Sequence, residues 1–179
     1  MPKAKIIDQS LQIAVISLPH SNKRWIELLK RIGIHSWDIE RIWGIDGQLL
    51  KENQFEYLYK RGFIHKSSIS WPKGQIGCAL SHQKCWKKCL ANKKPLLILE
   101  DDALLSNNWA EKLKTALKNA PEKDWDLLLL GWNMDSCLEI EIGEGLSSTL
   151  LFRPRNPTSN QLQNILDSSF NYKWMKLSM

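Results

Sequence analysis

The sequence predicts an α/β fold, a mostly parallel sheet flanked by helices, and three observations carry that expectation. Apolar runs of strand length alternate with segments of helical period, the order that builds βαβ units and a parallel sheet. The runs Ile13-Ala-Val-Ile-Ser-Leu and Leu96-Leu-Ile-Leu are continuously apolar rather than alternating, as in strands covered on both faces. Leu99 then runs straight into Glu100, Asp101 and Asp102, and open α/β sheets bind their ligands at the carboxyl ends of strands.

The elements follow in order. Ile13 to Leu18 is closed by Pro19 and reads as the first buried strand. Ser21 is placed to cap a helix from Asn22 to about Ile32, which Gly33 ends. Trp25, Leu28, Leu29 and Ile32 share one face of that helix and should pack on the sheet. Asp38 to Ile45 is the second strand, followed by a turn at Asp46-Gly47. Leu49 to Lys60 reads as a helix, Gly62 to Lys73 as irregular, and Gly74 to about Asn92 as a helix feeding the strand Leu96 to Leu99. Asn107 or Asn108 caps a further helix to about Asn119, before Pro121. Asp126 to Trp132, with four consecutive leucines, reads as another buried strand. Beyond Asn133 the pattern weakens to a strand at Ser147 to Phe152 and a short helix at Gln161 to Phe170. No repeat or linker divides residues 1–179, so a single domain is expected.

Size and composition bound the function. At 179 residues and 20.8 kDa, with 43% hydrophobic and 25% charged residues, the chain matches a globular protein with a sizeable core. Nine tryptophans are many for this length; filling the core is their commoner use, lining sugar or nucleobase sites the rarer one. A net charge of +6 suits a phosphorylated substrate, an anionic membrane surface or nucleic acid, or no more than a soluble basic surface. Nucleic acid ranks last, because no basic cluster interleaves with aromatics. No apolar stretch reaches the roughly 18 residues needed to span a bilayer, and the start lacks the apolar core of a signal peptide. A cytoplasmic location with reduced cysteines is the expectation.

Two constellations have chemical content. Three adjacent carboxylates repel one another unless solvent or a cation relieves them, so Glu100 to Asp102 is either a solvated loop or a site for a hard divalent ion. Strand alternation would send Glu100 and Asp102 to one side and Asp101 to the other. Cys78, His82, Cys85 and Cys89 form one stripe on the helix from Gly74. Cys78 and Cys89 would lie about 16 Å apart at about 1.5 Å per residue, so the helix alone offers an ion at most a pair of ligands. Zinc needs three or four, and the cysteines are read as small core hydrophobes. His82 is either a satisfied core histidine or a residue facing the strand-end acids. Glycine-rich phosphate loops and a Gly-x-Ser-x-Gly elbow are lacking.

Four blocks occur in a telling order: Ile13-Ala-Val-Ile-Ser-Leu-Pro with Arg24; Ile45-Asp46-Gly47; Gly77-Cys-Ala-Leu-Ser-His82 with Trp86; and Ile98-Leu-Glu-Asp-Asp-Ala103. Together they resemble glycosyltransferase family 25, the lipopolysaccharide-biosynthesis galactosyltransferase-like family, over roughly residues 13–132. Asn133 to Met179 carries no matching block. The resemblance implies a GT-A-like, Rossmann-like fold and a nucleotide-sugar transferase. It implies Mn²⁺ or Mg²⁺ at the acidic strand end, holding the diphosphate of a UDP-sugar such as UDP-galactose. Carried over by position, Glu100 and Asp102 would be metal ligands, and Leu18, Arg24, Asp46, Ser81, His82 and Asp101 would line the donor pocket. No catalytic base can be assigned, although Glu139, Glu141, Glu144 and Asp167 are available. The acceptor would be a lipopolysaccharide or other surface glycan, reached from the inner face of the cytoplasmic membrane, with no nucleic acid partner. The alternative is a degenerate, inactive member that binds a nucleotide sugar or a protein partner.

Overall fold

A computed structural model describes residues 11–33, 38–65, 70–120, 125–131, 137–143, 146–151 and 158–167. They fall into two compact units, one within residues 4–104 and the other from Leu105 onward.

The first unit is α/β, a three-stranded parallel sheet flanked by helices in the Rossmann-like manner expected of a GT-A-type fold. Its order is β2 (Asp38–Trp43), β1 (Gln12–Ser17), β3 (Leu96–Glu100). β1 pairs in parallel register with both neighbours, Ile13 opposite Ile39 on one side and Leu97 on the other. That central place explains its sequence, since Ile13, Ala14 and Val15 are wholly buried. β3 differs from the expectation of a strand covered on both faces. Among the described residues it is an edge strand, and of its aliphatics only Leu97 is fully buried. Four consecutive aliphatics signal burial without saying how much, because an edge position leaves them half covered. β2 alternates exposed and partly buried residues, as befits an edge.

Helix α1 (Asn22–Ile32) has the expected bounds and buries Leu28 and Ile32, each burial contributing about 1.5–3 kcal/mol. Ser21 stands at its N-cap without a side-chain cap hydrogen bond; its hydroxyl accepts from Arg24 instead. Gly33 ends the helix at φ 82°, in the left-handed region open to glycine. A 3₁₀ turn (Gly47–Leu49), α2 (Glu52–Lys60) and α3 (Lys73–Asn92) follow. Cys85 on α3 packs with Ala14 and Ile16 of β1, while Ile76 and Leu80 form a separate cluster with Ile64.

The second unit holds α4 (Trp109–Asn119), the antiparallel pair β4 (Cys137–Gly143) and β5 (Leu146–Leu151), and α5 (Ser159–Asp167). β5 and α5 lie where the sequence places a strand and a short helix, whereas β4 was not anticipated. Asn108 is the N-cap of α4 but makes no side-chain cap bond. Asn107 instead donates its backbone and side-chain N–H groups to Asp167, both at 2.8 Å. The backbone bond foremost, then a hydrogen bond donated by Gln163, holds the Asp167 carboxyl below its ordinary pKa. The strand expected at Asp126 to Trp132 is not formed over 125–131, where Leu127, Leu129 and Leu130 are largely exposed. Repeated leucine fixes neither a strand period nor a β-branched backbone preference, so without a ladder partner the run stays irregular. Trp132 lies outside the described residues. No described helix is long and apolar enough to cross a membrane.

Candidate functional site

The carboxyl ends of β1 and β3, the start of α1 and one face of α3 meet around the acidic run. β3 stops at Glu100, and Asp101 and Asp102 belong to a turn closed by the Ala103 N–H donating to the Glu100 carbonyl at 3.0 Å. Strand alternation therefore does not extend through the acids. Glu100 and Asp101 face different partners as expected, whereas Asp102 departs from the expectation by sharing Arg24 with Asp101.

Arg24, on the first turn of α1, is the shared partner. Its Nη2 lies 3.0 Å from Asp101 Oδ1 and its Nη1 3.4 Å from Asp102 Oδ2. Asp101 is buried at 6% exposure, and its second oxygen, Oδ2, has no hydrogen-bond partner among the described residues. A buried carboxylate oxygen without a donor is a costly arrangement that needs a reason. Asp102 is exposed.

Glu100 instead faces α3. Its Oε1 lies 3.2 Å from His82 Nε2 and 3.7 Å from Cys78 Sγ. The hydrogen bond with His82 holds the Glu100 carboxyl below its ordinary pKa, against the opposing effect of burial. Burial, then the charge of Glu100, pushes the Cys78 thiol up, and Asp102 adds to this. Cys78 is exposed, so it departs from the core reading that Cys85 fulfils. Cys89 is partly buried and donates its thiol to the Lys94 carbonyl.

The remaining expected residues occupy neighbouring positions. Ser81 is buried; its hydroxyl accepts from the Ile45 N–H at 2.8 Å and donates to the Gly77 carbonyl at 2.7 Å. It fastens α3 to the 45–47 turn, where an added Cβ on Gly77 would sit 2.4 Å from the Ile45 carbonyl oxygen. Asp46 accepts from the Gln48 N–H at 2.9 Å and so shapes the 3₁₀ turn. The Leu18 carbonyl accepts from Arg41 at 3.0 Å.

Arg41 is a residue that sequence reasoning missed. It reaches from β2 to the Ser17 hydroxyl at 2.9 Å and to Asn22 at 2.6 Å. Its guanidinium also stacks on Trp43, 4.3 Å from the ring centroid. It binds the first strand end to the start of α1, and only the parallel register of β1 and β2 reveals this. Close by on α3, a cavity of about 190 Å³ is lined by Phe63, Ile64, Trp71, Ile76, Gln83 and Trp86. Trp71 and Trp86 present exposed rings there, and the Trp86 ring centroid is 6.3 Å from that of His82.

The model of glycosyltransferase family 25 (LPS biosynthesis protein) matches residues 10–173. That match continues past Trp132, through the part in which no block was recognisable. Procollagen galactosyltransferase 2 of Homo sapiens is 25% identical over 130 residues, 67% of this chain and 20% of the relative. A glycosyltransferase 25 family member of Anopheles gambiae is 27% identical over 142 residues, 73% of this chain and 23% of the relative. The inactive glycosyltransferase 25 family member 3 of Mus musculus is 24% identical over 130 residues, 67% of this chain and 22% of the relative. The chain thus spans about a fifth of the length of these curated relatives. No solved structure matches. The ordered motifs, the parallel sheet and the family match together establish that the chain belongs to glycosyltransferase family 25.

Proposed function

We propose that this protein transfers a sugar, galactose foremost, from a UDP-sugar to a lipopolysaccharide or other surface glycan. The observation that carries the reading is the strand-end cluster, in which three carboxylates are offset by the single guanidinium of Arg24. The four side chains retain a net negative charge, and one buried oxygen of Asp101 lacks a donor among the described residues. Such a site favours a divalent cation, Mn²⁺ or Mg²⁺, over empty solvent. Glu100 and Asp102 would be its ligands, and when bound the ion would stabilise the leaving diphosphate as a Lewis acid.

The chain's own residues then have distinct tasks. Arg24 holds Asp101 in place through their ion pair. Leu18 and Asp46 border the donor pocket through backbone and turn, and Ser81 holds α3 against it. His82 orients Glu100 through its hydrogen bond. The exposed rings of Trp71 and Trp86 offer apolar faces against which an acceptor sugar can stack. A net charge of +6 suits an acceptor bearing phosphate at a membrane face, which would make the protein peripheral there.

Calorimetry with UDP-galactose and Mn²⁺ tests the reading. Metal-dependent binding that Asp102→Ala weakens at least tenfold is expected; no binding, or binding indifferent to Asp102→Ala, overturns it. The name of the inactive mouse relative favours a second reading, binding of the nucleotide sugar without transfer. Turnover of a glycan acceptor by the purified chain excludes that one.

A further inference from the structure

We propose that Cys78, His82 and Glu100 form a three-ligand site for a borderline transition-metal ion of the Co²⁺ or Zn²⁺ kind. The inference rests on the reading of the strand end as a cation site but gives Glu100 the partners Cys78 and His82 in place of Asp102, and its test needs no nucleotide. The helical stripe alone supplies only a pair of ligands, but the fold adds a third from β3. Cys78 and His82 stand one turn apart on α3, and Glu100 reaches them from the strand. The Cys78 sulfur, a ring nitrogen of His82 and a Glu100 oxygen all lie within 4.8 Å of one another.

The separations have the scale of a coordination sphere. Ligand bonds of about 2.0–2.3 Å at tetrahedral angles place nitrogen and oxygen about 3.3 Å apart, and sulfur and oxygen about 3.6 Å apart. The observed separations are 3.2 Å and 3.7 Å. An ion can therefore take the place of the two hydrogen bonds that converge on Glu100 Oε1. Neither Cys78 nor Glu100 is enclosed, so an ion has an entry path, and a fourth coordination position stays open.

The charge balance points the same way. Glu100, Asp101 and Asp102 together carry three negative charges against the one positive charge of Arg24. A dication removes that surplus. As the sulfur–metal bond forms, the thiol proton passes to solvent. Sulfur and imidazole ligands select Co²⁺ and Zn²⁺ over Mg²⁺, which prefers an all-oxygen octahedron.

The test is a Co²⁺ titration of the full, reduced, metal-free chain without nucleotide, read by absorption. The expected result is a thiolate-to-cobalt charge-transfer band with the visible bands of a tetrahedral ion, reversed by Zn²⁺ and not by equimolar Mg²⁺. Cys78→Ala should abolish the charge-transfer band, Cys89→Ala should retain it, and His82→Ala should weaken binding at least about tenfold. Circular dichroism on each variant separates loss of a ligand from loss of the fold. A saturating titration with no charge-transfer band, or a band that survives Cys78→Ala in a folded protein, overturns the site. So does Mn²⁺ binding indifferent to both Cys78→Ala and His82→Ala, which would leave an all-carboxylate site and the proposed function intact.

Discussion

The two flanks of the β3 terminus hold adjacent acids in opposite chemical settings. On one flank Asp101 and Asp102 are tied to a full positive charge, Arg24, and Asp101 is nearly sealed from water. On the other, Glu100 meets an imidazole and a thiol, groups that can be neutral, and stays half exposed. The Arg24–Asp101 pair behaves as structure: removing Arg24 strands a buried charge. The His–Cys flank behaves as a site, because its groups have spare bonding capacity and solvent access. Of three consecutive acids, the buried Asp101 is thus a brace, while Glu100 and Asp102 keep solvent access and stay open to a ligand.

The largest expected effect breaks the scaffold of the His–Cys flank. Gly77→Ala places a Cβ 2.4 Å from the Ile45 carbonyl oxygen and 2.6 Å from the Gly47 nitrogen, both backbone atoms with little freedom to yield. The loss should be about 3 kcal/mol, and chemical denaturation measures it. If the substitution is neutral, α3 is not clamped where Cys78 and His82 need it. Next comes the ionic flank. Arg24→Ala leaves Asp101 buried without its cation, and stranding a fully buried charge costs about 3–5 kcal/mol. Arg24 is 46% exposed, so water offsets part of that and about 2 kcal/mol is expected. Asp101→Asn in the Arg24→Ala background should restore some of it, since a neutral amide removes the stranded charge.

These contrasts show what was legible before the fold was known. The bounds of α1 follow from Ser21, the apolar spacing and Gly33, all local signals, and the fold reproduces them. β1 was legible because its middle, Ile13 to Ile16, is continuously apolar, as a central strand requires. The leucine run at 127–130 misled, since apolar content without a branched or alternating pattern does not choose a strand. The short range of sequence logic also failed at the acids. Alternation holds only while the backbone is extended, and the turn at Asp101 ends it. For His82 the sequence leaves open a core histidine or one facing the acids, since α3 immediately precedes β3, and it assigns Cys78 to the core with its neighbours. Its partner is 22 residues away, a distance that only the packing of α3 beside β3 closes.

A smaller effect sharpens the His–Cys flank through pH. The Glu100 carboxyl sits below the 4.5 of an unperturbed glutamate, chiefly through its hydrogen bond with His82. A depressed carboxyl contributes stability that is complete above about pH 4.5 and lost as pH falls through the lower folded value. Glu100→Gln should therefore melt below the parent near neutral pH and converge with it in acid. Half exposure keeps the difference under about 1 kcal/mol. Thermal melts at pH 7 and pH 3 measure it, and a gap that widens in acid would contradict the assignment.

The smallest effect is kinetic and tests whether Glu100 governs Cys78 electrostatically. Burial and the neighbouring carboxylates raise the thiol's pKa, so little thiolate exists at neutral pH, and only thiolate is alkylated readily. Cys78 should react slowly with iodoacetamide despite its exposure, and Cys85 should be slower still because it is wholly buried. Glu100→Gln removes the second-largest cause of the shift together with a hydrogen bond, while leaving the burial that is the largest. The Cys78 rate at pH 7, followed by peptide mass, should rise severalfold and stop short of a free cysteine's. A rate unchanged by Glu100→Gln would mean that burial alone sets the thiol, and that the carboxylate does not act across the 3.7 Å gap on which the His–Cys flank depends.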